Sequence, residues 1–173
     1  MTLVAMKKQE FDSLDDDSLG WACMEPTLLQ IRGKEMAVKT EAISRLNKGQ
    51  QALCMFRVLY DHAKNSAVEY YTWISYLLDK PGYWSGVTGG LRFFGDSSMM
   101  HLLVETKEVL EASNHRRRVS ISDATYKDLE QDNELQNAVS HLFARFLELA
   151  PHSLQMISTY IRAHPQDFVI IEN

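Results

Sequence analysis

His101 and Glu105 stand four residues apart, so a helix would put both on one face, a spacing compatible with metal ligation. A second ligand pair is missing: the sequence has no His-Glu-x-x-His or Glu-x-x-His run. The pair therefore reads as a surface imidazole beside a carboxylate. His62 follows Asp61 near an expected helix end, where the helix dipole favours a charged imidazole, and a structural role is expected there too. Cys23 and Cys54 lie in apolar, helical surroundings and outside any Cys-x-x-Cys spacing. They read as two reduced, buried thiols, inert because an apolar setting raises a thiol pKa. The carboxylates of Asp12, Asp15, Asp16 and Asp17 do not make a calcium loop, because Leu14 and Leu19 interrupt the alternation of oxygen ligands. They suit a helix N-terminus instead.

Ser85-Gly86 lacks the Gly-x-Ser-x-Gly elbow of a serine hydrolase. The run Gly86-Val87-Thr88-Gly89-Gly90 lacks the Gly-Lys-Ser/Thr ending and the preceding strand of a phosphate loop. No catalytic pair has sequence support, so the chain is not read as an enzyme, and no cofactor or metal is expected. Two clusters remain. Arg116-Arg117-Arg118 could meet phosphate or an acidic partner, but Glu105, Glu108 and Glu111 precede it and Asp123, Asp128, Glu130, Asp132 and Glu134 follow. A solvated loop neutralised by those carboxylates is the plainer reading. The aromatic set includes two adjacent pairs, Tyr70-Tyr71 and Phe93-Phe94, beside Tyr83 and Trp84. Neighbours on a helix point about 100° apart, so both rings of a pair cannot share the narrowest inner face. The core takes most of these rings; some could line a groove or a dimer interface. Candidate interaction residues are thus Tyr70, Tyr71, Tyr83, Trp84, Phe93, Phe94, Arg116, Arg117 and Arg118.

The elements that must position them are helices. Asn47 with Gln50, and Ser66 with Glu69, have the spacing of capping boxes. The first opens an almost wholly apolar run, Ala52 to Tyr60, interrupted by Arg57, which predicts a helix surrounded by protein. The second opens a helix over Ala67 to Leu78, stopped by Pro81-Gly82. Gly86, Gly89 and Gly90 weaken a helix over 83–94 by roughly 1 kcal/mol each, or permit a close helix approach or a tight turn. Gly95 is a natural stop and Asp96 a natural cap, and the helix that follows is expected to end at Asn114. Pro26 is expected to restart or kink a helix begun near Leu19. Another amphipathic helix carries Met36, Ala42, Ile43 and Leu46. Beyond the expected main loop (114–122), Asp123 caps a short helix, Asn133 opens a strongly apolar one, and Pro151 begins another that ends at His164-Pro165. The tail holding Phe168 to Ile171 is apolar and must dock on this chain or a partner.

No strand pairs with another by a hairpin signal. The fold class is all-α: a single domain (1–173) of seven to nine helices, with a short N-terminal lead (1–8) and an apolar tail (166–173). A length of 173 residues suits one domain that needs no staples. The net charge of −5 argues against general nucleic-acid binding. No run approaches the about 20 apolar residues of a membrane span. The N-terminal run Met1 to Lys8 has no signal-peptide pattern, so a cytoplasmic protein is expected.

Several of these pieces come together in one likeness. Phe11, Leu14, Asp16 and Leu19, then Leu46-Asn47-x-Gly49-Gln50-x-Ala52-Leu53, an aromatic helix and Gly95 before another helix resemble the DNA-mimic-like family of small helical bacterial proteins over residues 11–112. The resemblance implies an all-α bacterial protein, and one role described in that family is binding a transcription factor through an acidic surface. The chain lacks the family's Asn-Gly-Gly-Phe segment near 65–68. The expected function is a protein–protein interaction or regulatory module, including assembly as a homodimer. One rival is a small-ligand binder or enzyme with a pocket near Tyr83–Asp96, formed by Tyr83, Trp84, Gly89, Gly90 and His101. The other is nucleic-acid contact through Arg116–Arg118.

Overall fold

The computed structural model describes residues 3–172. Met1, Thr2 and Asn173, which the expected lead and tail also take in, lie outside them. Among the described residues the chain is an all-α bundle of nine α-helices with one short pair of strands.

The chain opens on a strand, β1 (Val4–Lys7), and a short helix, α1 (Lys8–Ser13). Asp15 then caps α2 (Asp16–Ile31), accepting from the Ser18 N–H at 2.7 Å, with Asp16 and Asp17 in the first turn. The clustered carboxylates thus serve the helix dipole. Pro26 neither restarts nor divides α2; it sits on an exposed face while Leu19, Cys23, Met24 and Thr27 pack inward. A short amphipathic helix, α3 (Met36–Ser44), has no fully buried residue.

The central helix is α4 (Lys48–Ala63). Its capping box is complete: Gln50 N–H donates to Asn47 Oδ1 at 2.8 Å, and Asn47 N–H to Gln50 Oε1 at 3.2 Å. Leu53, Cys54 and Leu59 are wholly enclosed, as an apolar run with helical length requires. Ser66 caps α5 (Ala67–Asp79) through the Glu69 N–H at 3.0 Å. Pro81 is the first residue of α6 (Pro81–Phe94), where a missing N–H is harmless. The segment with three glycines is therefore helical. Gly90 explains part of it: a Cβ there would lie 2.9 Å from the Ala52 carbonyl oxygen, so α6 meets α4 backbone to backbone. Gly95 ends α6 in the left-handed region at φ 75°.

Asp96 then caps α7 (Ser97–Arg117), accepting from Met99 N–H at 3.0 Å and, with its other oxygen, from the buried Ser153 hydroxyl. The helix runs three residues past Asn114 and closes at Arg118 in the left-handed region (φ 57°). His115, Arg116 and Arg117 occupy its last turn, where the dipole favours cations. The loop expected over 114–122 is accordingly shorter. Asp123 belongs to a 3-10 turn, Ile121–Asp123, and does not cap α8 (Lys127–Gln131), which Tyr126 precedes.

The last helix, α9 (Asn133–Ala163), is 31 residues long and corrects two expectations. Its cap is Asp132, not Asn133, with Leu135 N–H donating at 3.0 Å. Pro151 does not start a new helix, because Val139, Leu142, Phe146, Ala150, Leu154 and Ile157 continue one buried stripe past it while Pro151 faces out. Burying that stripe outweighs the roughly 3 kcal/mol that an interior proline costs a helix. The tail docks on this chain: β2 (Val169–Glu172) pairs in parallel with β1, Val4 opposite Val169 and Lys7 opposite Glu172. Within the expected short lead (1–8), Val4–Lys7 form the strand β1.

Candidate functional site

Two of the clefts beside α3 are lined mainly by apolar groups. The larger has a volume of about 830 Å³ and lies between α3, the start of α4 and the outer face of α6. Its apolar lining is Met36, Ile43, Met55 and Phe93; Thr40, Ser44, Gln51 and Ser85 add polar groups. Gly82, Gly86 and Gly89 recur on one face of α6 along the cleft; the Met55 side chain packs on Gly86, whereas Gly82 and Gly89 leave the backbone bare. At Gly82 and Gly89 a Cβ would meet no other atom within 4 Å. Packing inside the chain therefore does not demand glycine at either position, although Gly89 weakens the helix by about 1 kcal/mol against alanine. The charged residues lining the cleft are Lys48 and Lys80, both cations, and Lys80 pairs with Asp79 at 2.6 Å.

The smaller cleft, about 450 Å³, opens on the other side of α3 and is bounded by α2, α4 and α5. One wall is a column of rings: His62 stacks on Trp73 at 3.9 Å between centroids, and Trp73 on Tyr76 at 5.0 Å. Trp73 is fixed by its indole N–H, which donates to the Val58 carbonyl at 2.7 Å. Arg57, 2% exposed, donates through Nε to Asp61 at 3.0 Å, pairs with Asp17, and lies 5.2 Å from the centre of the Trp21 ring. Burial raises the Asp61 pKa against the pull of Arg57 and Lys64. Burial lowers that of His62; the carboxylates of Asp61 and Glu69 oppose this, and the cations Arg32 and Lys39 add to it. Tyr83 and Ile43 border both clefts, and the Tyr83 hydroxyl meets Met36 Sδ at 3.3 Å.

The expected pocket near Tyr83–Asp96 is thus occupied by Tyr83, Gly89, Gly90 and Phe93, but neither Trp84 nor His101 lines it. Trp84 is half-buried and His101 is exposed on α7. Glu105, four residues after His101, accepts from Arg145 through both its oxygens at 2.7 Å. Among the described residues no three His, Cys, Asp or Glu side chains gather to hold a metal.

The adjacent aromatics go different ways. Tyr70 and Tyr71 are both core residues, because α5 is covered on two sides. Tyr70 packs on Phe146 and shares a hydrogen bond with Thr106 at 2.7 Å; the Tyr71 hydroxyl donates to Asp128 at 2.8 Å. Burial pushes both phenols up to about 12. Phe94 is buried, and Phe93 is exposed on the cleft edge, packed edge-on against Tyr160. Arg116 is paired with Asp132 at 2.6 Å and with Glu134; Arg117 pairs with Asp128 at 2.7 Å; Arg118 is exposed. Two of the three arginines are therefore already neutralised. Cys23 and Cys54 are free, buried thiols, each pushed up to about 12 by burial.

Sequence reasoning missed Met36, Ile43, Lys48 and Met55 in the larger cleft and Trp21, Arg57, Asp61 and Trp73 in the smaller. The available signal was the spacing of Gly82, Gly86 and Gly89, which is wider than one close helix contact needs. No family model matches the chain, and no curated protein or solved structure matches it. No helix is long and apolar enough to cross a membrane, among the described residues.

Proposed function

We propose that the protein is a non-catalytic binding protein whose larger cleft takes an elongated apolar molecule with an anionic end. The carrying observation is the floor of that cleft, a helix face left bare by Gly82 and Gly89 where the chain itself has nothing to pack. A volume of about 830 Å³ falls in the range of small-molecule sites. Its walls are mainly apolar, its charged lining residues are both lysines, and among the described residues no carboxylate lines it. Lys48 has no ion pair among the described residues and is exposed, so it can meet an anion without breaking a contact. The two free thiols support a cytoplasmic setting for this role.

The test is calorimetric titration of the full chain with dodecanoate and with dodecanol. Dodecanoate binds the more tightly, and Gly89→Leu, which fills open space beside α6, weakens both by about tenfold or more. Unchanged affinity in Gly89→Leu would remove the reading.

A second reading, docking of a protein partner or a second copy, is favoured by Leu29, Met36 and Val38, exposed at 57%, 41% and 45% around α3. Size exclusion with light scattering discriminates. A dimer that Leu29→Lys with Val38→Glu splits into monomers supports it; a monomer at all concentrations counts against self-association.

A further inference from the structure

We propose that the smaller cleft is a second, separate binding site, for a planar aromatic anion, with the ring against the His62–Trp73–Tyr76 wall and the charge met by Arg32 and Lys39. The wall is built to be rigid. Trp73 is held by its bond to the Val58 carbonyl and by stacking on His62 and Tyr76, so the wall is ordered before a ligand arrives. Flat, polarisable faces of this kind favour aromatic ligands, which stack offset or edge-on.

The charge balance of the cleft points to an anion. Asp61 is the carboxylate in its lining, and Arg57 holds it through two hydrogen bonds. Arg57 is in turn spent on Asp61 and Asp17, and its buried position leaves it no freedom to reach a ligand. What remains is Arg32, just past the end of α2, and Lys39 on α3. Neither has an ion pair among the described residues, and both lie close enough to depress the protonation of His62. A net-negative protein that places two unpaired cations beside an aromatic wall offers a carboxylate or sulfonate both a charge partner and a stacking face. The neutral imidazole extends the wall without adding charge. A volume of about 450 Å³ has room for one or two fused rings.

The proposal is independent of the larger cleft. Its probe is 2-naphthoate, titrated calorimetrically into the full chain beside the uncharged 2-naphthalenemethanol, each with and without saturating dodecanoate. The expected result is saturable naphthoate binding, about tenfold tighter than the alcohol, weakened by salt and not displaced by dodecanoate. Arg32→Ala with Lys39→Ala should weaken naphthoate by about tenfold or more and leave the alcohol within about twofold. Among the described residues these side chains hold no hydrogen bond, so circular dichroism of the double variant should match the parent. Absence of saturable binding below about 1 mM overturns the proposal. So does equal naphthoate affinity in the double variant. Displacement by dodecanoate, or loss of naphthoate binding in Gly89→Leu, would place the ring in the larger cleft and overturn it as well.

Discussion

Arg57 interrupts the apolar run of α4 and is the most enclosed charge among the described residues, tying the first turn of α2 to α4 through Asp17 and Asp61. Asp17 and Asp61 keep Lys64 at 3.8 Å and some solvent when Arg57 is removed, so Arg57→Ala should cost about 1–3 kcal/mol, read as a lower urea midpoint. Asp61 is already strained in the opposite sense, since burial raises its pKa despite Arg57. Asp128 behaves differently. Burial would raise its pKa, but the Thr125 N–H, the Tyr71 hydroxyl and Arg117 together hold it below 3.8. A carboxyl depressed by folding contributes stability in full above its unfolded value and loses it as pH falls through the folded one. Stability should therefore drop between about pH 5 and pH 3, and Asp128→Asn should show a shallower drop across that interval. An equal slope in the variant would assign the acid loss to other groups.

Helix α6 separates two uses of glycine in adjacent residues. At Gly90 a Cβ would press on the α4 backbone at 2.9 Å, which cannot move aside as a flexible side chain can. Gly90→Ala should destabilise by about 1–3 kcal/mol. At Gly89 the same atom meets nothing, and Gly89→Ala should stabilise by about 1 kcal/mol, visible as a rise in Tm. A gain at Gly89 would show that the residue is kept at a cost to the fold, as the bare cleft floor suggests. This contrast also shows what a sequence can disclose. The caps at Asn47, Ser66 and Asp96 are local, with donor and acceptor three residues apart, and each is found where its spacing predicts. The continuity of α2 through Pro26 and of α9 through Pro151 was not legible, because the penalty is local and the burial that outweighs it comes from other helices. The clefts were only partly legible. Tyr83 and the glycines stand near each other in the sequence, whereas Met36, Lys48 and Trp21 reach the clefts only once α2, α3 and α4 pack.

Closure of the whole molecule depends on contacts that no short window contains. β1 and β2 come from opposite ends of the described chain and pair in parallel without a hairpin, so only the packed helices bring them together. Phe168 leads into β2 and is completely buried; its ring lies against Gly49 in the first turn of α4, and Asn47 donates its side-chain amide to the Asp167 carbonyl at 2.8 Å. The cap of the central helix and the docking of the last strand are therefore one contact. If they also unfold together, Phe168→Ala should cost about 3–5 kcal/mol and shift the whole transition. Urea unfolding followed by far-ultraviolet circular dichroism and by tryptophan fluorescence checks this, since Trp21, Trp73 and Trp84 all lie on helices remote in sequence from the tail. The two curves should coincide in the parent and move by the same amount in the variant. Curves that separate in Phe168→Ala would mean that the strand pair closes a bundle already stable without it, and that the coupling through Asn47 carries little energy.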